Sequence, residues 1–289
     1  MRTEAKVIAD SISIEGKRLT TMEVTLHRFV LAEFNTHRVF SRNSASSRAI
    51  PVQRQLDNID AVPALPISHP REQKGMQGGS ELEGQDLLDA QDLIRDILMD
   101  TTDSIIIYLN RHPDPEHRLH KSVLNRYLEP FMWHTIVVTS TEWDNFFDLR
   151  CSPMAQPEIR AAAECMRAAM GISTPVLRDL DNIVLFNYDI AWHLPYITDE
   201  ERESMFISKL RKISVARCAR VSSLHAGDIG DYEKDFRLFD TLTSADPMHA
   251  SPLEHLAVPC NNETHEHANF QGWHQFRHLI DLHPQLKEQ

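Results

Sequence analysis

Residues 36–48 read Thr36-His37-Arg38-Val39-Phe40-Ser41-Arg42-Asn43-Ser44-Ala45-Ser46-Ser47-Arg48. Three arginines alternate with five hydroxyl side chains and one Asn, and no acid interrupts them. Arginine gives bidentate contacts and serine gives short donors, so the run has the chemistry of an anion cradle, although a solvated loop has the same composition. The segment directly before it, 28–35, is patterned as a short helix. Before that, 5–13 and 20–27 alternate like strands on either side of Gly16, which predicts a hairpin.

Beyond the cradle, residues 63–86 are polar, rich in Pro and Gly and aperiodic, and predict a flexible surface loop. Apolar positions at Leu88, Ile94, Ile97, Leu98, Ile105 and Leu109 predict a helix over 87–110. Further helices are expected over 117–128 and 158–170, and Thr198 to Glu201 fits a capping box opening a helix through about Ile213. Strands are expected at 182–188 and 254–259. The mixture is α+β, without a regular βαβ alternation.

The charge balance excludes one class of partner. With 30 Lys+Arg against 42 Asp+Glu the net charge is −12, so a broad face gripping a nucleic acid polymer is not expected. Only 9 glycines occur, four of them at Gly75, Gly78, Gly79 and Gly84, and neither G-x-G-x-x-G nor G-x-x-x-x-G-K-[ST] can be written. No apolar h-region or membrane-length run is present, so a cytoplasmic protein without a membrane partner is expected. The four cysteines form no C-x-x-C pair, which predicts reduced thiols.

Two more clusters could carry chemistry. Trp143-Asp-Asn145-Phe-Phe-Asp-Leu-Arg150, followed by Ala155-Gln-Pro-Glu158, could stack and orient a planar heterocycle or be a helix end with its aromatics in the core. Six histidines between His249 and His278 raise the question of a metal. However, H-E-x-x-H is absent and no carboxylate lies between His274 and His278, so no metal is expected.

Together these clusters resemble the flavin-dependent thymidylate synthases. The family signature R-H-R-x-x-S-x-N-x-x-S-x-R matches 36–48 at every defined position except the first, where Thr36 stands. The downstream block appears as Arg126 with Pro130, Asn145-Phe-Phe-Asp-Leu-Arg150 and Ala155-Gln-Pro-Glu-Ile159. Arg217-Cys-Ala-Arg220-Val-Ser222 and His249-Ala-Ser251-Pro-Leu-Glu254-His255 resemble segments that precede the signature in typical members. Here they follow it, so the chain looks circularly permuted. Phe276-Arg277-His278 resembles a second copy of the F-R-H before the signature.

The resemblance implies an α+β fold: a central twisted, mainly antiparallel sheet flanked by helices, in one domain over 1–289. In permuted order this domain would hold the signature at 36–48, a helical part at about 87–170 and a flavin-binding segment at about 213–280. It implies FAD as cofactor, NADPH and methylenetetrahydrofolate as co-substrates, and a homotetramer converting dUMP to dTMP without an enzyme thiol.

Site roles follow the matched positions. Arg150 would be catalytic, facing the uracil. Glu33, Ser44, Ser46, Ser47, Arg48, Arg126 and Arg150 would bind the pyrimidine monophosphate. Thr36, His37, Arg38, Asn43, Thr139, Asn145, Ser222, His249, Ser251 and Arg277 would bind flavin. Departures from the pattern are Thr36 for Arg, Ser44 for Glu, Thr139 for Asn and Met154 for His. Arg277 could restore the cation missing at 36. The departures leave open a hydroxymethyl product, dCMP as acceptor, or an inactive nucleotide-binding relative; a histidine-metal hydrolase is a more remote reading.

Overall fold

The computed structural model describes residues 3–179, 191–221, 230–260 and 268–287. The hairpin forms as expected: β1 (Glu4–Ser13) runs antiparallel to β2 (Arg18–His27), with Glu4 opposite Thr25 and Ile12 opposite Arg18. Gly16 makes the turn at φ +80°, a left-handed backbone that glycine adopts without steric cost. The segment after β2 is helical as expected, a 3-10 turn over Arg28–Val30 followed by α1 (Leu31–Phe34).

Three strands of the main sheet were not read from the sequence. β4 (Trp133–Ser140) lies antiparallel to β2, and β3 (Ser41–Ser44), from within the arginine-serine run, lies antiparallel to β4. β5 (Val176–Arg178) joins β1 in parallel. The five-stranded sheet has the order β3-β4-β2-β1-β5, so it is mainly antiparallel, with helices packed against it.

Alternation gives this sheet two unlike faces. Met22, Val24, Leu26, Ile136 and Val138 pack on Phe34, Phe146 and the alanine-rich face of α6 (Pro157–Ile172), where Ile159, Ala162, Ala163 and Met166 are buried. The other face carries Thr21, Glu23, Thr25 and Thr139, and the C-terminal part of the chain covers it. There His193 Nε2 bonds Thr21 Oγ1 at 2.7 Å, Tyr196 donates to Glu23 at 2.6 Å, and His255 Nδ1 bonds Thr139 Oγ1 at 2.8 Å. Thr21 and Thr139 also bond each other at 2.7 Å, and His193 Nδ1 reaches Ser11 at 2.9 Å. A continuous buried polar chain therefore joins the two parts of the protein.

Burial pushes the His255 pKa down to about 3 and that of His193 well below its ordinary value. His134 is also held at about 3, by burial and by Arg28. The folded state keeps these rings neutral, whereas the unfolded chain takes up protons as pH falls below 6.5, so stability is lost on acidification. The melting temperature is expected to decline steadily from pH 6.5 towards 4. A flat profile across that window would contradict this account of the buried histidines.

Elsewhere the structure corrects boundaries. α3 (Gly84–Arg111) forms, but its apolar stripe is only half used. Leu98, Ile105, Tyr108 and Leu109 pack on α2 (Val52–Ala61) and α4 (Lys121–Leu128), while Leu88 and Ile97 are exposed. The expected helix over 117–128 begins instead at Lys121, after a 3-10 turn at Pro115–His117. The Thr198 capping box is present but opens only α7 (Asp199–Ser204). Met205 and Phe206 are extended, and α8 (Ile207–Ala219) turns back so that Arg217 meets Glu201.

The expected strand at 254–259 is shorter, β6 (Ala257–Pro259), paired with β7 (Trp273–Gln275). The strand expected at 182–188 and Ser222 lie outside the described residues. Residues 63–83 are irregular, as expected, but folded back on themselves through Arg71–Ser80 and Leu82–His69 backbone bonds. Glu158 anchors them by accepting from Ile67 N–H at 2.8 Å. Among the described residues no helix is long and apolar enough to cross a membrane.

Candidate active site

The arginine-serine run folds into three pieces: a turn over 36–40, the strand β3, and a second turn over 45–50. At the first turn Thr36 Oγ1 donates to Glu33 O at 2.7 Å, closing the end of α1. His37 is buried edge-on to Phe146 and beside Phe40, at centroid distances of 4.9 and 5.8 Å. α5 (Asp144–Arg150) packs Phe146 into the core and thereby delivers Arg150 to this turn.

Arg150 Nε donates to His37 Nε2 at 2.9 Å, and Nη2 reaches Thr36 Oγ1 at 3.2 Å and Glu33 O at 3.4 Å. Burial, with Arg150 and Arg42 nearby, holds the His37 pKa near 4, so the ring is neutral and accepts at Nε2. Arg42 also lies against this turn. Its Nη1 donates to Asn35 O at 2.8 Å and His37 O at 3.4 Å, the carbonyls on either side of Thr36.

Segments distant in sequence arrive along β3. Asn43 Nδ2 donates to Cys218 O at 2.6 Å, and Ser251 Oγ donates to Asn43 Oδ1 at 3.1 Å, across 175 and 208 positions of sequence. Gln275 Nε2 contacts Ser41 Oγ at 2.9 Å and Glu254 O at 3.0 Å. Glu254 lies half-buried facing Arg42 and Arg277; burial raises its pKa against the pull of both arginines. Arg277, in α10 (Phe276–Leu282), also pairs with Asp281 at 2.9 Å. Arg38, Asn145, His249 and Ser251 are exposed, and of these Ser251 meets β3 through its bond to Asn43.

Ser44, the last residue of β3, is exposed, and the second turn exposes Ser46 and Arg48 and buries Ser47. Asn125 of α4 fixes it from behind, with Nδ2 donating to Ser47 O at 2.6 Å and Ile50 O at 3.0 Å. A cavity of about 490 Å³ opens between this turn, α2 and the ends of β2 and β4, lined by Ser47, Gln55, Thr25, Trp133, Thr135 and Val221 among others.

Arg126 does not join this group. It pairs with Glu129 at 2.8 Å and lines a separate cleft with Arg28 and Asn35. Thr139 is fully buried with its hydroxyl engaged by Thr21 and His255, so in this chain it supports the sheet rather than a cleft wall.

The family model described as "Thymidylate synthase complementing protein" matches residues 18–176, more than half of the 289-residue chain. The chain belongs to the thymidylate synthase complementing protein family. The family match spans β2, the signature and α5–α6, which hold Thr36, His37, Arg42 and Arg150 in contact. Among solved structures, a UMP/dUMP methylase PolB from Streptomyces cacaoi bound with 5-Br UMP superposes with TM-score 0.44 at 13% identity, covering 58% of this chain and 88% of that chain. Its form bound with 5-Br dUMP gives 0.39 at 17% identity, covering 53% and 67%. No curated protein matches the chain.

Three contributors in this member of the thymidylate synthase complementing family escape a reading by motif: Arg42, Asn125 and Gln55. Arg42 occupies an unspecified position within the signature, and the other two lie on helices outside it. Among the described residues, no three His, Cys, Asp or Glu side chains converge as a metal site.

Proposed function

We propose that this protein is a flavin-dependent enzyme that transfers a one-carbon unit from methylenetetrahydrofolate to C5 of dUMP, giving dTMP, with NADPH as reductant. The observation that carries the reading is Asn43, whose amide ties the signature strand to both C-terminal segments at once. A permuted chain would need that contact, because its flavin-binding residues come from opposite ends of one catalytic unit.

The residues that the resemblance assigns to the flavin fit FAD chemically. Arg38 and Arg277 offer cations for a pyrophosphate, His249 and Ser251 offer polar contacts, and His37, Arg42 and Asn145 complete the wall. FAD, when bound, supplies the reducing electrons and carries the one-carbon unit. The protein's part is to hold dUMP by its phosphate on Ser44, Ser46, Ser47 and Arg48 and to polarise the uracil with Arg150. Arg150 and Ser46–Arg48 lie at opposite ends of β3, and Arg126 lines another cleft, so the complete site takes residues from several copies. This agrees with a homotetramer.

The thiols agree with a mechanism that has no cysteine nucleophile. Burial raises the pKa of Cys151, Cys165 and Cys218, which leaves them poor thiolates at neutral pH.

Arg42 and Arg277 together would supply the cation that Thr36 lacks, with Glu254 as their counter-charge. Arg42→Ala is expected to weaken FAD binding about tenfold, the loss of one charge-assisted contact, and Thr36→Arg in the same chain to recover most of it. Equal flavin content in Arg42→Ala and the unmodified protein would refute this role.

The Thr36 and Ser44 departures favour one second reading, a hydroxymethyl product on dUMP or dCMP. Product mass after anaerobic turnover separates the two: a methyl group at C5 supports the thymidylate reaction, and a hydroxymethyl group supports the second reading.

A further inference from the structure

A residue on the wall of the cavity beneath α2 carries a polar atom with no partner among the described residues. Gln55 is 4% exposed, and its Nε2 is buried without a hydrogen bond. A native chain seldom leaves a buried amide unpaired, because its desolvation is then uncompensated. Gln55 is also one of the residues lining about 490 Å³ of open space, within the range of small-ligand sites. Ser47, from the turn between exposed Ser46 and Arg48, lines the same cavity. Trp133 adds an aromatic wall, and Thr25 and Thr135 add hydroxyls that bond each other at 3.0 Å.

We propose that Gln55 reads the pyrimidine ring of the nucleotide. With the phosphate on Ser46 and Arg48, the base enters under α2 and lays its N3–C4 edge against the Gln55 amide. A primary amide presents a donor beside an acceptor, the complement of that edge. Turned over, it matches cytosine as well as uracil. Gln55 therefore selects a pyrimidine ring without choosing between the two. The proposal rests on the nucleotide reading above, and the partner copy's Arg150 would face the ring from the open side.

Calorimetry on the full-length protein tests it with three probes: dUMP, dCMP and the baseless deoxyribose 5-phosphate. The unmodified protein is expected to bind both nucleotides more tightly than the sugar phosphate. Gln55→Leu is expected to bind dUMP and dCMP about tenfold more weakly, the loss of one or two neutral hydrogen bonds, and to bind deoxyribose 5-phosphate unchanged. Its melting temperature should equal or exceed that of the unmodified protein, because an unpaired buried amide has been removed. Gln55→Glu, which keeps the shape but not the amide, should show the same selective loss.

Wild-type dUMP affinity in Gln55→Leu would overturn the role of Gln55 while leaving the nucleotide reading intact. A lowered melting temperature with all three ligands weakened equally would make the amide structural and also overturn it. An unmodified protein that binds deoxyribose 5-phosphate but gains nothing from the base would place the ring elsewhere. Failure to bind any of the three would remove the nucleotide reading itself.

Discussion

Arg150→Ala is expected, on the proposed reaction, to lower turnover of dUMP by about 10²–10³-fold, the loss expected when one preorganised charge facing developing anionic character is removed. The fold should survive the change. α5 is held by Trp143 and Phe146, which are 3% and 1% exposed, whereas Arg150 is only partly covered. Its Nε and Nη2 are engaged by His37, Thr36 and Glu33, and among the described residues Nη1 makes no hydrogen bond. The guanidinium is thus held by one edge with the other edge available. Lysine keeps the charge but cannot reproduce the two-nitrogen grip, so Arg150→Lys should recover only part of the rate. Single-turnover kinetics at saturating dUMP make the measurement, and a rate within threefold of the unmodified protein would exclude Arg150 from the chemistry.

Arg217→Ala should destabilise the protein by about 3–5 kcal/mol, as breaking a buried ion pair leaves its partners' charges uncompensated. Arg217 is 0% exposed; its Nη atoms meet Glu201 at 2.6 and 2.8 Å and Tyr196 O at 2.6 Å. Its Nε lies 3.4 Å from Asp235, which also pairs with Arg220. The two carboxylates respond differently. Burial pushes both up, but the bonds from Arg217 and Thr198 hold Glu201 below its ordinary value, while Asp235 stays above. Glu201 therefore contributes stability that is lost as pH falls, whereas Asp235 becomes easier to keep buried as it protonates.

Thermal and urea unfolding of Arg217→Ala should show a melting temperature lower by roughly 10 °C, at a few degrees per kcal/mol for a chain of this size. Replacing the pair together, as Arg217→Met with Glu201→Leu, should restore much of the loss. Because the last turn of α8 carries the Cys218 carbonyl bound by Asn43, the single variant should also bind FAD more weakly. An unchanged melting temperature would contradict the role of Arg217 as the tie between α7, α8 and α9 (Tyr232–Ser244).

The hairpin and α6 were legible because alternation and the alanine-rich period report one buried face directly. β4 was not, since Trp133–Ser140 shows a short apolar run whose type periodicity cannot decide. β3 was hidden for another reason. Ser41-Arg-Asn-Ser looks like a solvated loop until residues nearly at the other end of the chain cover it, and no local signal carries that information. The break at Met205 and Phe206 follows similarly from a distant ion pair.

At the site, the resemblance singled out Thr36, His37 and Arg150 one by one, but their contact within one chain was not legible, since it depends on how α5 packs against the turn after α1. Thr139 shows the limit of that reasoning: it was assigned by position although it departs from the usual Asn, and its hydroxyl is held by Thr21 and His255. Arg42 and Gln55 could not be read, because one depends on which carbonyls lie beneath a strand and the other on a bond that is missing.

The most direct test of the central claim, that the two ends of the chain build one flavin and nucleotide site, is a titration of the full-length protein with FAD followed by visible absorbance. FAD is expected to bind at one per chain, and subsequent dUMP to perturb the flavin bands, with Asn43→Ala losing both effects. No bound flavin at saturating FAD, or a flavin spectrum indifferent to dUMP, would contradict it.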